Sequence, residues 1–365
     1  MKYVDEFRDP RIAAALRRDI EDLSRKVDSA NIMEVCGSHT MSISRYGIRT
    51  MLPANVRLIS GPGCPVCVTD AGYIDAAIEL ARRGVIIATF GDLIMVPGSD
   101  SSLADARAAG ASVEVCYSPT AAIDIAQRNP GREVVFLAIG FETTIPAVTS
   151  LVPMAVEKDV HNLSLLCAFK LVPPALYALM EDPGLKIDAF LCPAHVSAII
   201  GADAYEPFTG KDGVPCVIAG FEPLDILQGL EKILAQLAAG EARVENLYAR
   251  VVKAGGNPKA LALMEKYLEP TDVPWRGLGV VPNSGLSLRP EYAQFDAEKK
   301  HCQKVQRGRE MPGCLCGEVI KGKLTPTQCG MFGKRCTPEH PIGPCMVSSE
   351  GTCSAYFKYG GSASL

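Results

Sequence analysis

No apolar run in this 365-residue sequence is long enough to span a bilayer. The opening MKYVDEFRDP is charged and lacks the apolar stretch of a secretory signal. Lys and Arg number 37 against 41 Asp and Glu, for a net charge of −4, and no dense basic stripe is present to follow a phosphate backbone. No GxGxxG follows a strand-like run, so a dinucleotide fold in the strict sense is unsupported. These absences predict a soluble, cytoplasmic protein that binds neither membrane nor nucleic acid. What the chain has in quantity is apolar residues (48%), 33 glycines, 26 prolines and 14 cysteines. Its length is enough for two or three cores.

A reducing cytosol argues against reading fourteen cysteines as a disulfide framework. They divide by context instead. Cys116 in VEVCYS, Cys167 in LSLLCAF and Cys216 in VPCVIAG sit inside apolar strand-like runs, where cysteine behaves as a small buried hydrophobe. The others cluster in Gly/Pro-rich surroundings. In GPGCPVC, Cys64 and Cys67 have the spacing of a redox disulfide, of half a zinc site, or of a ligand pair for something rarer.

The first stretch places Ile12, Leu16, Ile20, Leu23 and Val27 at helical spacing, with Pro10 suited to a first turn. A rhythm follows. NIMEV leads into CGSHT, VRLIS into GPGCPVC, GVIIATF into GDLIMVPGS, VVFLAIG into FETT, DAFLC into PAHVS and CVIAG into FEP. Helix-like segments separate many of these runs, one carrying a stripe of Leu227, Leu230, Leu234 and Leu237. Strands alternating with helices predict an α/β fold of parallel sheets covered on both faces. Ligands in such sheets bind beyond the carboxyl ends of strands, where the reactive residues here recur. From about residue 276 the periodicity fades, which predicts a smaller, irregular C-terminal domain.

Two constellations carry chemistry. The tail holds Cys329, Cys336, Cys345 and Cys353 within 25 residues poor in apolar side chains, so a metal is expected to supply folding energy. Zinc sites favour short C-x₂₋₄-C knuckles, whereas the intervals here are six, eight and seven residues. Ligand softness then favours a four-thiolate iron–sulfur cluster. Cys314 and Cys316 form an upstream pair that could replace one of the four or be redox-active, and Cys302 reads as incidental. The second constellation is dispersed: Cys36, His39, Cys64, Cys67, Glu142, His195 and Glu222. A lone His or Glu after a strand is usually a surface or capping residue. Together, all in Gly/Pro-rich loops at strand ends, these residues can assemble one cleft with soft thiolates and acid/base groups.

The motifs MEVCGSHT, GPGCPVC, GFETT, PAHVS, GFEP and the tail ending GPCMVSSEGTC resemble, in order and over almost the whole chain, the hydrogenase maturation factors of the HypD family. Thr40 and Ala194 depart from the commonest family pattern, and neither removes a thiolate or an imidazole. The resemblance implies two similar parallel-sheet α/β domains and a small irregular iron–sulfur domain. The corresponding divisions are an N-terminal helix over 1–30, α/β domains over 31–130 and 131–275, and a cluster domain over 276–365. It also implies a scaffold for the Fe(CN)₂CO unit of [NiFe]-hydrogenase. The expected partners are a HypC-type small chaperone, HypE as source of cyanide and, indirectly, the hydrogenase large subunit. On this view Cys36 holds the transient iron and His39 orients a ligand or moves a proton. Glu142, His195 and Glu222 line the cleft, and Cys64–Cys67 is a two-electron dithiol/disulfide pair. A [4Fe–4S] cluster on Cys329, Cys336, Cys345 and Cys353 supplies that pair with electrons. An iron–sulfur-dependent thiol/disulfide reductase is the main rival, but it leaves Cys36, His39 and the two Gly-Phe-Glu loops without a purpose.

Overall fold

The computed structural model describes residues 5–360. Eleven strands run in chain order: β1 Ala30–Glu34, β2 Val56–Ser60, β3 Ile86–Thr89, β4 Val113–Val115, β5 Val134–Gly140 and β6 Leu163–Phe169. They continue as β7 Ala189–Pro193, β8 Cys216–Ala219, β9 Val244–Asn246, β10 Leu268–Trp275 and β11 Gly279–Leu288. Nine of them form two parallel sheets, ordered β2-β1-β7-β8-β9 and β4-β3-β5-β6. β10 and β11 form a separate antiparallel hairpin. The expected α/β class with parallel sheets is present.

The strands are not shared between the sheets as a division at residue 130 requires. β3 and β4 pair with β5 and β6, while β7, β8 and β9 return to complete the sheet begun by β1 and β2. The first sheet is thus built from two separated stretches of chain. An apolar strand covered on both faces reads the same in either sheet, so periodicity cannot assign it. The boundary expected at 275/276 also falls at the turn of the β10–β11 hairpin, inside one supersecondary unit.

Each sheet has one switch point where the strand order reverses, between β1 and β7 in the first and between β3 and β5 in the second. A crevice opens at the carboxyl ends of the strands on either side of such a point. Cys36 follows β1 and His195 follows β7, so they meet at the first. Glu142 follows β5, at the second.

One face of each sheet feeds a single apolar core. Met33, Ile59 and Phe190 contribute from the first sheet and Val135, Leu137 and Ile139 from the second. The tail is seated on this core through Cys316, Val319, Ile320, Cys345 and Met346, so it does not stand apart as the fading periodicity suggests. On the outer face of the first sheet, the helix Pro223–Ala239 buries Leu227, Leu230 and Leu234, with Leu237 partly covered. Each fully buried leucine there contributes about 2 kcal/mol of transfer free energy. The helix Pro10–Ser24 packs against it through Leu16, Ile20 and Leu23, while Ile12 faces solvent. Cys116 and Cys216 are buried as expected; Cys167 is half-buried and Cys302 exposed.

Candidate functional site

Cys36 caps the N-terminus of the helix Gly37–Arg45, and its carbonyl accepts the Thr40 N–H at 3.1 Å. Burial pushes its thiol up to about 11 and the Glu350 carboxylate adds to this, against hydrogen bonds from Ser38 and His39. One turn on, His39 is wholly buried. Its Nε2 lies 2.9 Å from the Gly220 carbonyl and so carries the proton; Nδ1 has no partner. Burial lowers this imidazole to about 4, which keeps it neutral. His195 opens the helix Ala194–Ile200 at the exposed side of the same place. Partial burial lowers its pKa, with Glu350 acting in the opposite sense. The Phe221 ring touches both imidazoles, at 4.6 Å from His39 and 4.3 Å from His195.

The GFEP loop therefore enters the crevice through Gly220 and Phe221 rather than through its acid. Glu222 caps the helix Pro223–Ala239 and accepts two hydrogen bonds from the Arg8 guanidinium, at 2.7 and 3.0 Å. That clamp holds the N-terminal segment against the loop. Glu350, in the tail and without a local signal in the sequence, takes the acidic place instead. Its carboxylate accepts the Ser38 hydroxyl at 2.6 Å. A Cβ on Gly37 would lie 2.5 Å from the Glu350 carbonyl, so only glycine admits this approach.

Cys64 caps a single helical turn, Pro65–Val68, and its sulfur accepts the Cys67 N–H at 3.2 Å. The two cysteines are paired as a disulfide with Cα atoms 5.2 Å apart, within ordinary bridging range. Their loop lies directly on the Cys36 loop. Gly37 donates its N–H to the Gly63 carbonyl at 3.0 Å, and a Cβ on Gly63 would stand 2.6 Å from the Cys36 Cα. On the other side, the Cys67 sulfur is 3.8 Å from the carbonyl of Pro344, the residue before Cys345. One small cavity is lined in common by Gly37, Gly63, Cys64, Cys67, Cys345 and Glu350.

In the tail, the neighbouring thiols Cys316 and Cys353, together with burial, push the Cys345 thiol up, and Cys316 and burial do the same to Cys314. Cys329 and Cys336 line the same small apolar cavity as Cys314, Cys316 and Cys353. The Cys336 sulfur accepts the Ile342 N–H at 3.3 Å. Gly343 has no room for a side chain there: its Cβ would fall 2.7 Å from the Cys314 sulfur and 3.1 Å from that of Cys316. Cys316 is thus in the thiol network as firmly as any of the four tail cysteines expected to ligate. No group of three or more His, Cys, Asp or Glu among the described residues is arranged around one ion position.

Glu142 belongs to the second crevice. It is buried, its carboxylate accepts the Val172 N–H at 2.8 Å, and Oε2 has no partner. Burial pushes it up to about 7. Lys170, one residue beyond β6, is 2% exposed and lowered to about 7 by burial, with Asp70 favouring its charge. Its ammonium lies 5.9 Å from the ring of Trp275, which stacks on Phe141 at 6.0 Å. Among the described residues no hydrogen bond or ion pair joins Glu142 to Cys36, His39 or His195. Cys36, His39, His195 and Phe221 gather at the switch point of the first sheet, Glu142 stands at that of the second, and Lys170 follows the neighbouring edge strand β6.

A family model described as "HypD: Hydrogenase formation hypA family" matches residues 11–360. The chain belongs to the HypD family. It is similar to the protein named hydrogenase maturation factor HypD of Azotobacter vinelandii, 49% identical over 99% of this chain and 97% of the relative. The protein of that name from Rhizobium leguminosarum bv. viciae is 46% identical over 99% of this chain and 96% of its own. That from Escherichia coli K12 is 44% identical over 98% of each. These HypD relatives match the chain along almost its entire length, so both crevices and the thiol-rich tail fall within the shared region. No helix among the described residues is long and apolar enough to cross a membrane.

Proposed function

We propose that this HypD-family protein is a hydrogenase maturation factor serving as scaffold and redox partner while the Fe(CN)₂CO unit of [NiFe]-hydrogenase is assembled. In this reading it works in the cytoplasm with a HypC-type small chaperone and takes cyanide by way of HypE. The product is destined for the hydrogenase large subunit. The observation that carries the reading is the serial contact of three sulfur sites. The Cys36 loop lies on the Cys64–Cys67 loop through Gly37 and Gly63, and Cys67 abuts the segment bearing Cys345.

The iron substrate, low-spin once it carries cyanide and carbon monoxide, suits thiolate ligation, and Cys36 at the half-buried mouth of the first crevice is its ligand on this chain. Neutral His39 offers the lone pair of Nδ1 to accept or steer a proton, and Nε2–H fixes the ring on Gly220. His195 stands on the open side of Phe221, where an arriving partner or ligand passes. Reduction of Cys64–Cys67 takes two electrons and a proton to give one thiolate and one thiol. Cys329, Cys336, Cys345 and Cys353 are the proposed ligands of a [4Fe–4S] cluster, with Cys316 competing for one place by its contacts. The soft donors and the space kept by Gly343 fit such a group once the thiols part from one another. When bound, the cluster supplies electrons one at a time.

Infrared spectroscopy of the anaerobic complex with the small partner tests this, because bound cyanide and carbon monoxide absorb in the triple-bond stretching region where protein does not. Native complex should show those bands. Cys36→Ser, which offers a hard hydroxyl in place of a thiolate, should lose them while keeping its fold and the tail's visible absorption. Bands unchanged in the variant would remove Cys36 from the ligand set, and their absence from the native complex would remove the scaffold role.

A further inference from the structure

Three residues at the end of β10, Trp275, Arg276 and Gly277, thread between the two sulfur sites. The Arg276 N–H donates to the Val68 carbonyl at 2.7 Å and its Nη2 to the Thr69 carbonyl at 3.1 Å, at the C-terminal end of the turn that carries Cys67. On the other side, a Cβ on Gly277 would lie 2.5 Å from the Gly317 carbonyl, next to Cys316. Arg276 is 5% exposed, and its Nε is buried with no partner. Among the described residues it makes one ion pair, with the exposed Glu310 at 3.6 Å from Nη1, and its charge also acts on the Cys314 thiol across the gap. A buried guanidinium so sparsely compensated costs stability.

We infer that Arg276 is a positioning residue that raises the reduction potential of the Cys64–Cys67 pair, by holding a buried positive charge at the C-terminal end of the turn that carries Cys67. The inference rests on the redox role proposed above. Reduction breaks the S–S bond, consumes two electrons and one proton, and leaves a thiolate beside a thiol. A fixed cation stabilises that product and leaves the neutral disulfide almost untouched, so the pair becomes easier to reduce. The two carbonyls Arg276 holds also fix the end of the turn, and a variant that keeps the charge separates these roles.

The test uses the full-length protein with its tail metal in place. The protein is equilibrated anaerobically in graded mixtures of dithiothreitol and its cyclic disulfide, which supply and accept the two electrons. Free thiols are then alkylated and the Cys64–Cys67 peptide is counted by mass spectrometry. Arg276→Met should be at least tenfold harder to reduce, about 30 mV. Arg276→Lys should stay close to wild type, and Glu310→Gln, which unmasks the guanidinium, should shift the other way. An unshifted Arg276→Met, or Arg276→Lys shifted as far as Arg276→Met, overturns the inference. If Arg276→Met does not fold, Glu310→Gln decides alone: easier reduction supports the inference, and no change or harder reduction overturns it. A pair that does not titrate at all sinks both this inference and the redox reading. A pair that titrates, is needed for assembly and ignores Arg276 and Glu310 sinks this inference only.

Discussion

Replacing Glu142 with Gln should stabilise the protein at pH 8 and leave it unchanged at pH 4. The carboxyl is buried at the end of β5 with Oε2 unpartnered, and burial raises it from 4.5 to about 7. A group whose folded pKa lies above its unfolded value stabilises the fold through its proton below the unfolded pKa. That contribution is lost as pH climbs from about 4.5 to about 7 and is gone above. The gap corresponds to about 3 kcal/mol of destabilisation at pH 8. Gln reproduces the neutral acid, since its carbonyl can still accept the Val172 N–H. The variant should therefore match wild type at pH 4 and exceed it by about 3 kcal/mol at pH 8. With an unfolding entropy of roughly 2.1 cal/mol/K per residue, that is about 4 °C in Tm. Differential scanning calorimetry on both proteins at pH 4, 6 and 8 reads it directly. A Tm difference that does not grow between pH 4 and pH 8 would refute the reasoning, because it would mean that Glu142 stays ionised in the fold.

Lys170→Met should show the opposite pH dependence. Burial lowers the amine from 10.5 to about 7, so wild type loses stability as pH falls from 10.5 to 7, and the variant's advantage in chemical denaturation should be several kcal/mol at pH 7 and shrink towards pH 10. Ala at both Cys64 and Cys67 should leave the tail's absorption spectrum intact and abolish hydrogenase maturation in a complementation assay; full activity in that strain would end the relay reading. In the tail, Cys345→Ala should impair iron retention and thermal stability of the purified protein, because on the proposed reading a metal bound there adds to the folding energy. Running Cys316→Ala and Cys329→Ala beside it by iron analysis shows which of the two belongs to the ligand set. Stoichiometric zinc in native protein made anaerobically would count against a cluster altogether.

The candidate residues were legible wherever a short apolar run ended in a reactive side chain. Strand-end loops are where parallel sheets place their sites, and Cys36, His39 and His195 do converge at one switch point. What the sequence could not carry was pairing over distance. Glu222 was legible as a strand-end acid, but its partner Arg8 is 214 positions away and turns it from a cleft acid into a clamp. Glu350 stands in the tail motif VSSEGTC, yet its meaning comes from Ser38, 312 positions distant. Glu142 reads in the sequence like the other strand-end residues, and only the pairing of β3 with β5 places it at the switch point of the second sheet. Lys170 has no local signal, because lysine is mostly exposed and nothing nearby in the sequence marks one that is not. The glycines and prolines of GPGCPVC are the instructive middle case. Their density announced a constrained turn, but the constraint is not the turn alone. Gly63 must be glycine because the Cys36 backbone occupies the space a side chain would need. The same residue that shapes the disulfide loop thereby sets its distance from Cys36, so the two thiol sites are held together by backbone contact rather than by any side chain that could drift.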